Sequence, residues 1–340
     1  MLKVPQDTVN FLRKLTPKKV FNLVLITLSF YLSRLTRKVI IWGKPISLSI
    51  EPTTSCNLRC PECPSGLRSF TRPIGMLDLA LFTKIINEQA RSLSYLLLYF
   101  QGEPFLHAHF IDMIKYASSK GIFTATSSNA HYFTDDIARK TVISGLDRLI
   151  ISIDGTTQEV YEQYRIGGSL EKVIAGTKNL VYWKKKLHST TPTLIFQFLV
   201  VQPNEHQIKS VKALANEIGI DEVKLKTAQL YNYEQGNKLM PLNEAYSRYK
   251  LNEHGTYSLK HQLYDHCWKM WHSSVITWDG TVVPCCFDKD ATHAFGNVAE
   301  HSFASIWQNE KYNAFRHSLL ASRSEIDICK NCTEGAKVWT

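Results

Sequence analysis

Cysteine is sparse in this chain: eight in 340 residues, far below the density of a disulfide-stapled secreted domain. Glycine (16) and proline (12) are too few for a collagen-like or low-complexity protein. A membrane-spanning apolar run is also missing. Residues 20–33 (VFNLVLITLSFYLS) are uncharged, but as a helix they would reach about 21 Å, short of the ~30 Å hydrocarbon core. They do not read as a signal peptide either, because their far end is basic and no small-residue cleavage site follows. No tandem repeat is found. What is present, 44% hydrophobic and 21% charged residues, describes a folded chain long enough for one large domain plus appendages and excludes intrinsic disorder.

The net charge of +10 is unevenly placed. Residues 1–45 carry nine basic groups and one acid, Asp7, so only two surplus charges remain for the rest. A nucleic-acid-binding body would spread its charge over the folded surface, so no nucleic acid is expected; a basic appendage facing an anionic surface is. Thr16 is placed to N-cap a helix with Pro17 at its first position. Two readings of this amphipathic segment stand: an interfacial helix on anionic lipid, or a helix packed on the main domain with its basic ends in water.

From residue 46 short β-rich runs alternate with helical stretches, the signature of βα units around a parallel sheet. Strands are expected at 47–51, 96–100, 123–127, 148–153, 194–201 and 222–226, and helices at 78–92, 110–120, 134–144, 170–186 and 205–218. Gly121, Gly145 and Gly219 stand where C-terminal caps belong. Six such strands suit a partial TIM-like barrel or a doubly wound sheet, and in both function gathers beyond the carboxyl ends of the strands. Residues 227–265 are polar and aperiodic, as a linker or a loop over the barrel mouth would be. Five of the eight cysteines follow from Cys267 onward.

Cys56, Cys60 and Cys63 form C-x3-C-x2-C directly after the first strand. Three thiolates on one short loop can hold three irons of a cubane cluster and leave the fourth open. A zinc knuckle completed by a ligand from elsewhere, such as Cys267 or a histidine, is the alternative.

This loop resembles the signature loop of the radical S-adenosylmethionine (SAM) enzymes, and the resemblance covers most of residues 46–340. It implies a partial (β/α)6 barrel and a [4Fe-4S] cluster bound by Cys56, Cys60 and Cys63. It further implies SAM chelating the open iron, and reductive cleavage to a 5′-deoxyadenosyl radical that abstracts hydrogen from substrate. Gln101-Gly102-Glu103-Pro104 is similar to the family's Gly-Gly-Glu-Pro, in which backbone and acid hold the SAM amino group. Ser152 and Asp154 resemble a ribose-binding Ser-x-Asp-Gly. Arg165 corresponds to an arginine that pairs with the SAM carboxylate, as a planar guanidinium suits. Ser128 and Asn129 resemble a Thr-Asn-Gly element near the methionine moiety. Two positions depart from the pattern: Gln101 stands where glycine is usual, and Glu62 where an aromatic often precedes the third cysteine.

Cys267, Cys285, Cys286, Cys329 and Cys332 resemble the SPASM/twitch extension of the same family. Five cysteines fit the shortened, one-cluster twitch form, which implies one auxiliary [4Fe-4S] cluster on Cys267, Cys285, Cys329 and Cys332. Asp279-Gly280 reads as a hairpin turn that would set Cys267 and Cys285 on neighbouring strands. Cys286 is left over, as a buried small hydrophobe, an alternative ligand or a thiol donor. Asp288 matches an acid that in some relatives serves as a catalytic base; a solvated loop acid is the plainer reading. Trp268, Trp271, Trp278 and Trp307 are expected to shield the auxiliary cluster, and His266 and His272 to be surface or packing residues.

The expected organisation is therefore a basic N-terminal segment (1–45), a core barrel (46–230), a linker (231–265) and an α+β auxiliary-cluster module (266–340). The expected activity is a radical SAM oxidoreductase, cytoplasmic or peripheral on the cytoplasmic membrane face. It would be reduced by a flavodoxin or ferredoxin and act by two-electron oxidation on a small-molecule or lipid-linked substrate such as an envelope saccharide or lipid intermediate. A peptide-modifying maturase is the alternative within this chemistry, and a non-catalytic iron-sulfur or zinc-binding protein is the alternative outside it.

Overall fold

The structure is a computed structural model describing residues 5–332. Residues 1–4 of the N-terminal segment and 333–340 of the expected C-terminal module lie outside the described residues. Two helices open the chain, α1 (Gln6–Arg13) and α2 (Pro17–Thr36). Thr16 caps α2, its Oγ1 accepting from the Lys19 amide at 3.4 Å, with Pro17 at the first position. α2 thus runs a full turn beyond the uncharged stretch that drew attention to it.

Six strands follow: β1 (Ser47–Ile50), β2 (Tyr95–Leu97), β3 (Phe123–Ser128), β4 (Arg148–Ser152), β5 (Thr193–Val200) and β6 (Glu222–Thr227). They pair in sequence order and all in parallel, for example Leu48 opposite Leu96 and Ile151 opposite Phe196. Between them lie α3 (Pro64–Leu67), α4 (Leu79–Gln89), α5 (Phe110–Ser119), α6 (Asp135–Ile143), α7 (Gln158–Tyr164), α8 (Leu170–Lys186) and α9 (Ile208–Ile218). Side chains such as Leu48, Ile50, Leu96, Leu98, Leu149 and Ile151 are fully buried, as expected of strands covered by crossover helices. Gly219 ends α9 in the left-handed region (φ +92°), which a Cβ would strain.

The stretch expected to be an aperiodic linker contains an antiparallel hairpin, β7 (Tyr249–Leu251) with β8 (Tyr257–Leu259). Leu230, Leu239, Met240 and Tyr249 pack with Leu58, Cys60 and Tyr164 in a small core of their own. The segment is a cover over the cysteine loop, held by burial of its apolar residues.

The C-terminal part adds α10 (Lys269–His272), β9 (Ser273–Ile276), β10 (Thr281–Val283), β11 (Gly296–Asn297), α11 (Phe303–Trp307) and α12 (Glu310–Ala321). It extends the main sheet: β9 pairs in parallel with β1, Leu48 opposite Ser274, and one nine-stranded sheet runs β11-β10-β9-β1-β2-β3-β4-β5-β6. The Asp279-Gly280 turn joins β9 to β10, the Thr277 amide bonding the Thr281 carbonyl at 2.9 Å with Gly280 at φ +88°. Cys267 does not sit on a strand beside Cys285, because α10 intervenes before β9 and Cys285 falls after β10 ends. Among the described residues no helix is long and apolar enough to cross a membrane.

Candidate active site

The loop after β1 carries the first three cysteines and is pinned from two sides. Gly66 in α3 approaches so closely that a Cβ would meet the Cys60 amide nitrogen and carbonyl at 2.5 Å. Gly102, at φ +74°, lies against the same loop; a Cβ there would stand 2.3 Å from the Thr53 carbonyl oxygen. Its amide donates to Ser65 Oγ at 2.8 Å, and the Glu103 amide to the Ser55 carbonyl at 2.7 Å. Glycine at both positions is what allows two loops to interlock at the sheet's carboxyl edge.

Cys56, Cys60 and Cys63 border one cavity of about 270 Å³ together with Gly102, Glu103, Ser128, Asn129, Ser152 and Arg165. The thiols surround the space rather than converge on a point: among the described residues no three His, Cys, Asp or Glu stand close enough to hold a single ion. Glu103 is buried; its Oε1 accepts from Ser128 Oγ at 2.8 Å and its Oε2 from the Asn129 amide at 2.7 Å. Burial pushes its carboxyl up to about 7, against the opposing pull of those hydrogen bonds. Arg165 Nη1 donates to Cys60 Sγ at 3.7 Å, and its Nε to Asp154 Oδ2 at 2.5 Å. Burial pushes the Cys56 thiol up to about 11 and raises that of Cys60, so deprotonation here calls for a compensating cation. Three thiols, a guanidinium aimed at one of them and an adjacent polar cradle form a donor set that fits a thiolate-bound cluster with a small charged molecule beside it.

Asp154 does not line this cavity. Its second oxygen accepts from the Leu199 amide at 2.7 Å, so the carboxylate fastens β5 and orients Arg165. Glu62, the departure from the family pattern, accepts from the Tyr231 amide at 2.9 Å and ties the cover to the cysteine loop.

Of the second set, Cys267, Cys329 and Cys332 are buried, and Cys285 is half-buried. Arg323, which the sequence reading missed, joins them: its Nη2 donates to Cys332 Sγ at 3.2 Å. Burial works against its charge, but Cys267, Cys332 and Cys329 raise the guanidinium above its usual value. Burial and then neighbouring Cys286 raise the Cys285 thiol. Cys286 is exposed, not a buried hydrophobe, and accepts from Lys269 Nζ at 3.6 Å.

Asp288 is neither solvated nor at the cavity bordered by Cys56, Cys60 and Cys63. It is 1% exposed and caps its own loop, accepting from the Thr292 amide, the Thr292 hydroxyl and the His293 amide at 2.8, 2.9 and 3.0 Å. Two of the four tryptophans serve as joints to the chain before β1: Trp271 Nε1 donates to the Ile40 carbonyl and Trp307 Nε1 to the Gly43 carbonyl, both at 3.1 Å.

Two further groups were missed. Lys226 and Arg248 line the same cavity as the cysteine loop; burial, with Arg248 next, lowers the Lys226 ammonium to about 8. The alternation Val223-Lys224-Leu225-Lys226 at period two already separates the two lysines from the outward apolar face. The second is the buried Glu51–Arg72 pair, bidentate at 2.6 and 2.9 Å. Arg72 Nε also donates to the Lys289 carbonyl, and Glu51 accepts from the Trp278 amide. This pair bolts β1 to the C-terminal part.

Residues 50–195 match the family described as the Radical SAM superfamily, and residues 267–333 match SPASM, an iron-sulfur cluster-binding domain. The chain is a radical SAM enzyme. It carries a SPASM region, and with it the family's SAM, [4Fe-4S] and auxiliary iron-sulfur cofactors; the non-catalytic alternative falls away. The chain is 28% identical over 323 residues to the tungsten-containing aldehyde ferredoxin oxidoreductase cofactor-modifying protein of Pyrococcus furiosus, covering 84% of this chain and 86% of that one. It is 25% identical to the PqqA peptide cyclase of Bradyrhizobium diazoefficiens, covering 86% and 79%. Among solved structures, Streptococcus suis SuiB bound to S-adenosylmethionine superposes with a TM-score of 0.63 at 15% identity, covering 87% of this chain and 74% of that one. That likeness is one of fold.

Proposed function

We propose that this radical SAM enzyme holds its SAM-binding [4Fe-4S] cluster on Cys56, Cys60 and Cys63 and one auxiliary cluster on Cys267, Cys285, Cys329 and Cys332, and that it oxidises its substrate by two electrons. The observation that carries the reading is the single cavity bordered by all three cysteines, Glu103 and Arg165, at the carboxyl edge of six parallel strands read as a partial (β/α)6 barrel. When bound, SAM and the reduced cluster supply a 5′-deoxyadenosyl radical. The protein's own part is to bind and orient. Glu103, fixed by Ser128 and Asn129, presents a carboxylate to the SAM ammonium, and Arg165, held by Asp154, presents its fork to the SAM carboxylate. Ser152, on the lining of the same cavity, would take a ribose hydroxyl, and the 231–265 cover would keep water from the site. Asp288, committed to its loop, acts on the substrate only if that loop rearranges.

The electron donor in this reading is a flavodoxin or ferredoxin, and the enzyme is cytoplasmic with a peripheral membrane contact. An envelope saccharide or lipid intermediate is the substrate that the basic N-terminal segment favours. A peptide is the second reading, favoured by the relative named a peptide cyclase and by SuiB bound to its precursor peptide SuiA.

The test is 5′-deoxyadenosine release by anaerobically reconstituted protein given SAM and a strong reductant. Wild type is expected to release it, and the Cys56→Ala, Cys60→Ala, Cys63→Ala triple variant is expected to release none; equal release by both would sink the assignment. Lipid and peptide fractions from cells grown in heavy water then decide the substrate class, since the fraction that transfers deuterium into 5′-deoxyadenosine contains it.

A further inference from the structure

Helix α2 is amphipathic the wrong way round for a helix that serves only to pack on protein. Its buried residues are mostly polar: Lys19, Asn22, Ser29 and Ser33 all face the domain, with Ile26 and Phe30 among them. Each polar group is used. Lys19 Nζ donates to the Gly121 carbonyl at 2.7 Å, Asn22 exchanges two hydrogen bonds with the backbone of Lys44, and Ser33 does the same with Ile40. The outward face is apolar. Phe21, Val24, Leu28, Tyr31 and Leu35 recur at spacings of three and four, which aligns them along one stripe, and they are 47% to 82% exposed.

A surface helix ordinarily turns its apolar stripe to the core. Here five large apolar side chains are left outside, while hydrogen bonds, with Ile26 and Phe30, fix the opposite face in place. The stripe is about 21 Å long, since Phe21 and Leu35 stand fourteen residues apart on α2 at ~1.5 Å each. Exposed Lys18 precedes it, and exposed Arg34 and Lys38 stand at its far end. Beside its N-terminal end opens a groove of about 560 Å³ whose lining includes Arg13, Lys18, Arg91 and Lys120, together with Lys14 and Lys19, whose ammonium groups are already held by Asp147 and the Gly121 carbonyl.

We propose that this face of α2 is a docking surface for an anionic phospholipid bilayer. The helix lies in the interface plane, its stripe enters the headgroup–acyl boundary, and the flanking cations and basic groove take lipid phosphates. The charge decides between occupants: a second copy would bring the same cations to the same place, whereas an anionic membrane complements them. The inference deepens the peripheral membrane contact proposed above and rests on α2, not on the chemistry assigned to the cysteines, so 5′-deoxyadenosine release tests that chemistry separately.

The experiment is co-sedimentation of the full chain, reconstituted anaerobically, with vesicles of phosphatidylcholine alone and of phosphatidylcholine with phosphatidylglycerol. Wild type should sediment with the mixed vesicles, be released by salt, and bind the neutral vesicles far less. The Phe21→Ser, Leu28→Ser, Leu35→Ser variant should lose at least about tenfold in partitioning. Lys18→Glu with Arg34→Glu should weaken binding only to the anionic vesicles, by roughly fivefold for each charge removed. Both variants should keep wild-type thermal unfolding and 5′-deoxyadenosine release. The proposal is overturned if wild type does not bind the mixed vesicles, if the serine variant binds as well, or if lipid-free wild type is a dimer that the serine variant dissociates.

Discussion

The two cysteine sets are built in opposite ways. Cys56, Cys60 and Cys63 belong to one short loop, fixed by two glycines that let neighbouring backbone close upon it. Cys267, Cys285, Cys329 and Cys332 come from the start of a helix, the end of a strand and a 3₁₀ turn far along the chain. Tertiary packing sets Cys267, Cys329 and Cys332 about the Arg323 guanidinium. A site made by one loop depends on local geometry, while a site gathered from distant segments depends on everything that holds those segments in register. Yet the two share one sheet, because β9 pairs directly with β1.

The sharpest way to separate them is to remove one thiol from each. Cys60→Ala should abolish 5′-deoxyadenosine release, since a proposed ligand of the initiating cluster is gone. Cys329→Ala should keep release and lower bound iron by roughly four per chain, the content of one cubane cluster, while losing product formation. Iron analysis beside 5′-deoxyadenosine chromatography checks both, and equal loss of release in the two variants would break the proposed division of labour.

Next in size is the bolt between the two regions. Arg72→Met leaves Glu51 ionisable and buried at 0% exposure, which should cost roughly 3–5 kcal/mol. Adding Glu51→Leu should return much of it, because no uncompensated charge remains. Denaturant unfolding of the full chain reads both. If the single and double variants unfold alike, the pair is not what joins β1 to the C-terminal part.

The same contrast explains what could be read from sequence. The six parallel strands were legible because each is a short β-rich run followed by a helical stretch and often a glycine stop, all local signals. The first cysteine loop stood out by its spacing, whereas Glu103 and Arg165 were singled out only by their resemblance to the family's motifs; the structure sets both on the same cavity as that loop. The addition of β9 to β1 was not, since nothing in Ser273–Ile276 says which strand it will meet. The β7–β8 hairpin was hidden by the polar, tyrosine- and asparagine-rich composition around it. Asp154 and Asp288 were read from motif position as ligand and base. Their hydrogen bonds to the Leu199, Thr292 and His293 amides are contacts that position does not reveal. Arg323 offered no signal at all, being one arginine among many until the fold sets it against three thiols.

The smallest expected effect lies where the C-terminal part meets the sheet. The His272 carbonyl accepts from the Ile46 amide at 2.9 Å, just before β9 begins, while its Nδ1 is buried without a hydrogen-bond partner. Burial, with Lys269 nearby, lowers the imidazole from 6.5 to about 4. In that interval the unfolded chain takes up a proton that the folded chain refuses, so this residue's share of stability is intact above about pH 6.5 and drains away as the pH falls toward 4. Urea unfolding at neutral pH and near pH 5 should therefore show a steeper acid loss for wild type than for His272→Gln, with release of 5′-deoxyadenosine at neutral pH unchanged. Parallel acid losses would mean that the joint between the two regions is not where acid first acts, and would move the search to the buried carboxyls around the first cysteine loop.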